Sequence, residues 1–201
     1  MNPLELASPS RFQAARWLRG AHRQTIWPLL IKGPLPPYRR QRWDTPDGDF
    51  IDLDWVDGVP GQPCVVLFHG LEGSSNSAYA RTLMRAIHAR GWHGVVVNFR
   101  GCSGEPNRLP RAYHSGDATE VDWILRRLHA LRWPALFATG VSLGGNVLLK
   151  WLAENAPADQ AAGLLNAAAT VSAPVDLAAA ESELARGVKR AYVRYFLRSL
   201  I

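Results

Sequence analysis

Ser142 has the setting in this chain that points most directly to chemistry. It stands in Gly140-Val-Ser-Leu-Gly144, with the apolar run Ala135–Val141 before it and an amphipathic run to about Asn155 after it. A strand, a tight turn and a helix are the context in which G-x-S-x-G presents a nucleophilic serine at the apex of the turn. Such a turn crowds its own backbone, so the flanking positions take glycine or a very small residue. The serine Oγ then stands at the carboxyl end of a sheet, where open α/β folds place their ligand crevice. The N-terminus of the following helix favours negative charge developing there. The chemistry this suggests is acyl transfer, in which a base takes the serine proton as Oγ attacks a carbonyl carbon.

The base is harder to find. Downstream of Ser142 the acids are Glu154, Asp159, Asp176, Glu181 and Glu183, and all six histidines (His22, His69, His88, His93, His114 and His129) lie upstream. His69 opens the loop His69-Gly-Leu-Glu-Gly-Ser-Ser75 and reads as a loop-shaping residue, with a base or substrate contact as the sharper alternative. His114 precedes a helix and reads as a surface or structural residue, and it joins His69 as an expected lining of the crevice. His88 and His129 fall on wet helix faces. Cys64 and Cys102 make no disulfide framework, and Cys102 reads as a structural thiol. Arg100 is expected to pin its loop by pairing with a carboxylate such as Glu105 or Asp117. No metal and no organic cofactor is expected.

The elements that must position these residues follow from periodicity. Arg39–Asp44 and Asp49–Val56 read as two strands joined by Thr45-Pro-Asp-Gly48, a turn in which Pro presets φ and Gly takes a positive one. In the second strand Phe50, Asp52 and Asp54 alternate with Ile51, Leu53 and Trp55, predicting one buried and one wet face. Asp49, Asp52 and Asp54 then form a solvated face, since no histidine or further acid sits at metal-ligand spacing. Cys64–Phe68 and Gly94–Phe99 are continuous apolar runs, as in parallel strands buried on both faces. Helices are predicted over about 77–90, with Tyr79, Leu83, Met84 and Ile87 on one side, and from Asp117 to about Arg132. Asp117 and Glu120 would form a capping box for the latter. Ala162–Val171 is a fourth apolar strand, and 175–201 is helical. Near the N-terminus, residues 10–20 predict a short helix capped by Ser10 and stopped by Gly20. Strands alternating with helices mean right-handed crossovers and a mostly parallel sheet, here opened by an N-terminal antiparallel hairpin.

Bulk properties bound the rest. The chain has 201 residues, 47% hydrophobic and 20% charged, enough to bury one sizeable core. The net charge of +6 is uneven: residues 1–43 hold eight Arg/Lys against Glu5 alone, and the remainder is nearly neutral. This arm reads as a solvated segment wrapping the domain, with at most peripheral membrane contact. No nucleic-acid signature accompanies it. No signal peptide is read, and a reducing cytoplasm is expected. The organisation expected is a basic arm over 1–38, a partial core over 39–174 and the start of a helical cap over 175–201.

Three motifs in order, His69-Gly-Leu-Glu-Gly-Ser-Ser-Asn-Ser77, Asn98-Phe-Arg-Gly-Cys-Ser-Gly-Glu105 and Gly140-Val-Ser-Leu-Gly-Gly-Asn146, resemble the YheT-like branch of the α/β-hydrolases. Arg19-Gly-Ala-His-Arg-Gln-Thr-Ile-Trp-Pro28 is similar to that family's N-terminal arm, so the resemblance covers nearly the whole chain. It implies an α/β-hydrolase fold and hydrolysis of carboxylic esters, lipid-directed in eukaryotic relatives. It further implies Ser142 as nucleophile, with the backbone N–H groups of Leu143 and Leu71 as oxyanion donors, each worth roughly 3–4 kcal/mol in known cases. In this fold the triad acid and histidine follow the serine in the chain. The chain is therefore expected to be truncated before its last strands, to have low activity alone, and to leave Ala162–Val171 at an open sheet edge. The expected partner is a small-molecule ester or lipid. The rival reading is a non-catalytic binding or structural protein on a degenerate α/β-hydrolase fold.

Overall fold

The structure, a computed structural model, describes residues 13–31, 33–155 and 163–184. The chain divides into two compact units, residues 1–32 and 33–201. In the first, a single 3-10 turn at Arg16–Leu18 precedes helix α1, Ala21–Leu30, and Trp17 meets Trp27 edge to face at 4.7 Å. The helix expected over 10–20 is therefore corrected. Residues 10–12 lie outside the described residues, and Gly20, at φ +105°, begins a helix where a stop was expected. Glycine serves at either end of a helix, so its type alone did not give the direction.

The second unit is built on one six-stranded sheet. Its strands are β1 Arg39–Asp44, β2 Phe50–Val56, β3 Cys64–Phe68, β4 His93–Asn98, β5 Leu136–Val141 and β6 Ala167–Val171. The order across the sheet is β1-β2-β4-β3-β5-β6. β1 and β2 form the antiparallel hairpin, and β2 pairs antiparallel with β4. The other pairings are parallel. Gly48 takes φ +84° in the hairpin turn, and its N–H donates to Thr45 O.

Side-chain alternation divides β3 between two cores. Val65 and Leu67 face helix α2, Ala78–His88, where they join Val56, Val96, Ala80, Met84 and Ile87. Cys64, Val66 and Phe68 face the opposite side. There they pack with residues of α3, Ala118–His129, and α4, Leu143–Asn155, among them Val121, Leu125, Leu148 and Trp151. Helices on both faces explain why β3 is an unbroken apolar run. On α2, Met84 and Ile87 are buried as expected, whereas Tyr79 is partly exposed. β6 pairs with β5 alone among the described residues, and four of its five residues are exposed. Of the helix expected over 175–201, the structure describes α5, Leu177–Leu184.

Two expectations are overturned by tertiary contacts. All seven residues of β2 are buried, and Asp49, Asp52 and Asp54 are almost fully enclosed. The face expected to be wet is roofed by arginines of β1 and by the loop after β4. Arg42 forks onto Asp52, Arg40 forks onto Asp54, and Asn98 donates to Asp54 Oδ2. Asp117 does occupy the N-cap position of α3, but its side chain makes no cap bond. Both its oxygens accept from Arg111, at 2.9 and 2.8 Å. Both oxygens share one guanidinium nitrogen, and a charge-assisted bond is stronger than a cap bond to a neutral N–H, so Arg111 holds the carboxylate.

Candidate active site

Strand register assembles the site. Phe68 of β3 lies opposite Gly140 of β5 and Val97 of β4, and Val141 lies opposite Val171 of β6. Two residues beyond Phe68, Gly70 therefore arrives beside Ser142. A Cβ placed on Gly70 would sit 3.1 Å from Ser142 Cβ and 3.8 Å from its Oγ.

Ser142 is half-buried and has φ +52°. A non-glycine residue in this left-handed region carries a cost of roughly 1–2 kcal/mol. The backbone is held there from both sides: Ser142 N–H donates to Val171 O at 2.9 Å, and Ser142 O accepts from Asn146 N–H at 2.9 Å. The flanking glycines are required by space. A Cβ on Gly144 would lie 2.4 Å from the carbonyl oxygens of Phe68 and His69, and one on Gly140 would lie 2.5 Å from Gly144 O. The peptide N–H groups of Leu143, Gly144 and Gly145 open α4 without a backbone partner among the described residues, the usual condition of a helix start.

The loop after β3 is tightly held. Gly70 N–H donates to Tyr79 Oη at 2.9 Å, Glu72 N–H to Tyr113 Oη at 2.7 Å, and Gly73 N–H to Gly70 O at 2.9 Å. Tyr113 Oη in turn donates to Glu72 Oε1 at 3.0 Å. Leu71 lies between these anchors, and its N–H has no partner among the described residues. The sequence reading missed Tyr79, Tyr113 and Glu72 in this loop. A tyrosine in an apolar stripe reads as core, and only the long-range pairing of residues 72 and 113 reveals what its hydroxyl does.

The expectation that His69 lines the crevice is corrected, because its side chain is fully enclosed. Phe99 N–H donates to Nε2 at 3.0 Å, so Nε2 carries no proton, and Nδ1–H donates to Gly70 O at 2.7 Å. Burial pulls its pKa down to about 4, against the opposing pull of the Gly70 carbonyl. The ring is neutral at physiological pH, and neither nitrogen is left for Ser142. His114 is exposed, and its Nδ1 accepts from Gly116 N–H. His93 is used by Gly58 N–H and Val59 O. His88 and His129 are exposed on α2 and α3. No described residue hydrogen-bonds to Ser142 Oγ. Burial pushes the Cys64 and Cys102 thiols up to about 12 and about 11, so neither is a thiolate at neutral pH.

Arg100 does pin its loop, but not through Glu105 or Asp117. It donates to Glu120 Oε1 at 2.8 and 2.6 Å and to Asp49 Oδ2 at 2.8 Å, with Asp47 beside it. Asp49 Oδ1 also accepts from the N–H groups of Phe50 and Arg108 and from Asn107 Nδ2. Burial alone would raise the Asp49 pKa. The bonds from Arg108, Asn107, Phe50 and Arg100 outweigh it and hold the carboxyl below its ordinary range. Glu120 is shifted the other way, burial being stronger there than the pull of Arg100. Among the described residues no group of histidine, cysteine and acidic side chains is arranged to hold a metal ion.

A family model described as alpha/beta hydrolase fold matches residues 63–198. The chain is 44% identical over 206 residues to the Escherichia coli (strain K12) protein named "Putative esterase YheT", a match covering 98% of this chain and 58% of that protein. It is 30% identical over 195 residues to "Phospholipase ABHD3" of Bos taurus, covering 92% of this chain and 46% of that protein. The chain thus spans about half the length of these curated relatives. Among solved structures, the esterase Pf2001 of Pyrococcus furiosus superposes with a TM-score of 0.61 at 16% identity, over 79% of this chain and 62% of that one, a likeness of fold.

Proposed function

This chain belongs to the α/β-hydrolase fold family, and from that premise we propose that it carries the nucleophile of a carboxylic-ester hydrolase. The observation that carries the reading is the backbone of Ser142. It is held at φ +52° between two glycines that tolerate no side chain, at the joined carboxyl ends of β3, β5 and β6. Ser142 Oγ attacks the ester carbonyl carbon and loses its proton to a base. The carbonyl π electrons move onto oxygen, and the N–H groups of Leu143 and Leu71 stabilise that oxyanion. Collapse of the tetrahedral species expels the alcohol, which takes the proton and leaves an acyl-serine for water to cleave. No base meets Ser142 among the described residues, so the 201-residue chain by itself is expected to turn over slowly. The names of the relatives support esters and lipid esters as the substrate class.

Hydrolysis of a p-nitrophenyl ester series, read on this chain and on any longer protein that carries it, tests the proposal. Ser142→Ala is expected to abolish turnover wherever turnover is seen. Turnover that survives Ser142→Ala would remove the serine from the mechanism. Fast hydrolysis by the chain alone, lost in Ser142→Ala, would instead assign the base to a histidine upstream.

A further inference from the structure

We propose that Tyr113 is a positioning residue that holds the Gly70–Gly73 turn with the Leu71 N–H free beside Ser142. The inference rests on the reading of Ser142 as nucleophile and concerns how its oxyanion donor is kept available. Of four consecutive peptide N–H groups, those of Gly70, Glu72 and Gly73 are taken and that of Leu71 alone has no described partner. The turn's own bond, from Gly73 N–H to Gly70 O, spans Glu72 without engaging it. Glu72 has φ +51°, a conformation unfavourable for a side-chain-bearing residue, and it persists only where surrounding contacts enforce it. One hydroxyl enforces it here: Tyr113 Oη accepts the Glu72 N–H and donates to the Glu72 carboxylate, fixing both ends of the strained residue.

The tyrosine is itself anchored. Its ring stacks on Phe99 with centroids 5.1 Å apart and planes 8° from parallel, and it meets His69 edge-on at 6.2 Å. Phe99 N–H is bound to His69 Nε2, and His69 Nδ1–H is bound to Gly70 O. The brace therefore runs from the end of β4 to the end of β3 and back to Gly70, where an added Cβ would meet Ser142. Burial raises the phenol pKa, so the hydroxyl keeps the proton it donates. Tyr79, from α2, supports the other side of the turn through the Gly70 N–H.

Tyr113→Phe tests this, because it removes the hydroxyl and leaves the ring that stacks. Hydrogen exchange followed amide by amide in the 201-residue chain is expected to show Glu72 N–H protected in the wild type and roughly tenfold or more faster in Tyr113→Phe. Leu71 N–H should exchange quickly in both. Where turnover is measured, kcat should fall about tenfold with KM unchanged, less than the ~10²–10³ of a deleted oxyanion donor. Equal Glu72 exchange in wild type and Tyr113→Phe overturns the proposal whether or not the chain hydrolyses an ester. An unchanged kcat in Tyr113→Phe, with turnover abolished in Ser142→Ala, overturns it as well. Turnover unaffected by Ser142→Ala removes the nucleophile reading, and the exchange result still decides the brace.

Discussion

Two regions of this chain, the serine turn and the Arg100 cluster, spend polar groups in opposite ways. Around Ser142 the backbone is strained, the neighbours are glycines, and donors at Leu71 and Leu143 are left unmatched. Around Arg100 every element brings a charge, and the charges pair inside the protein: Arg100, Asp49 and Glu120 are each almost fully buried, with Glu120 Oε2 left without a hydrogen-bond partner among the described residues. Unmatched donors suit a charge that appears only during a reaction, whereas matched buried charges hold a loop in one place. The cluster joins the hairpin, the loop after β4 and the first turn of α3, and that same loop carries Tyr113. The rigid region thus supports the one prepared for chemistry.

The largest expected effect breaks the matched region. Arg100→Met leaves Asp49 and Glu120 buried without their cation, and a loss of about 3–5 kcal/mol in urea unfolding is expected. A loss below about 1 kcal/mol would mean the cluster relaxes into water. Next, Gly144→Ala forces a methyl against the Phe68 and His69 carbonyls, and a cost of about 3 kcal/mol is expected from such overpacking. Wild-type stability in that variant would show that the turn shifts to make room for the methyl.

His69 supplies a pH signature of comparable size. Its folded pKa, about 4, lies below the ordinary 6.5. The unfolded chain therefore takes up the proton first as pH falls. This contribution is complete above about pH 6.5 and is lost progressively down to about pH 4, a change on the order of 3 kcal/mol. Unfolding midpoints flat across that window would count against a neutral buried ring. The depressed Asp49, Asp52 and Asp54 act lower still, their stabilisation being lost as pH falls below about 3.9, while the raised Glu120 opposes them. The smallest effect separates strain from chemistry. Ser142→Gly removes the left-handed penalty and should stabilise the fold by about 1 kcal/mol while removing the proposed nucleophile. Destabilisation there would show that the side chain contributes packing that outweighs the strain.

Much of this was legible locally. The bounds of β1, of β3 and of the hairpin turn follow from alternation, apolar runs and Pro-Asp-Gly. The crowding at Gly140 and Gly144 follows from the serine turn itself. The burial of Asp52 and Asp54 is not legible locally, because an alternating strand looks half-wet when its roof comes from Arg40, Arg42 and the loop near Ser103. The sequence suggests Arg100 as a pin but not its partners, since Asp49 and Glu120 lie 51 and 20 residues away.

The sequence by itself determined the order of strands and helices, the serine at a turn only glycines can flank, and the absence of a histidine after it. These are properties of short stretches, set by backbone sterics and by the period of apolar residues. The tertiary structure alone decided that His69 is enclosed with both nitrogens used, that three aspartates of the hairpin are buried, and that Tyr113 reaches Glu72 across 41 residues. Whether a polar group is buried, and what satisfies it there, depends on segments brought together only by the packed sheet, and no local spacing encodes that.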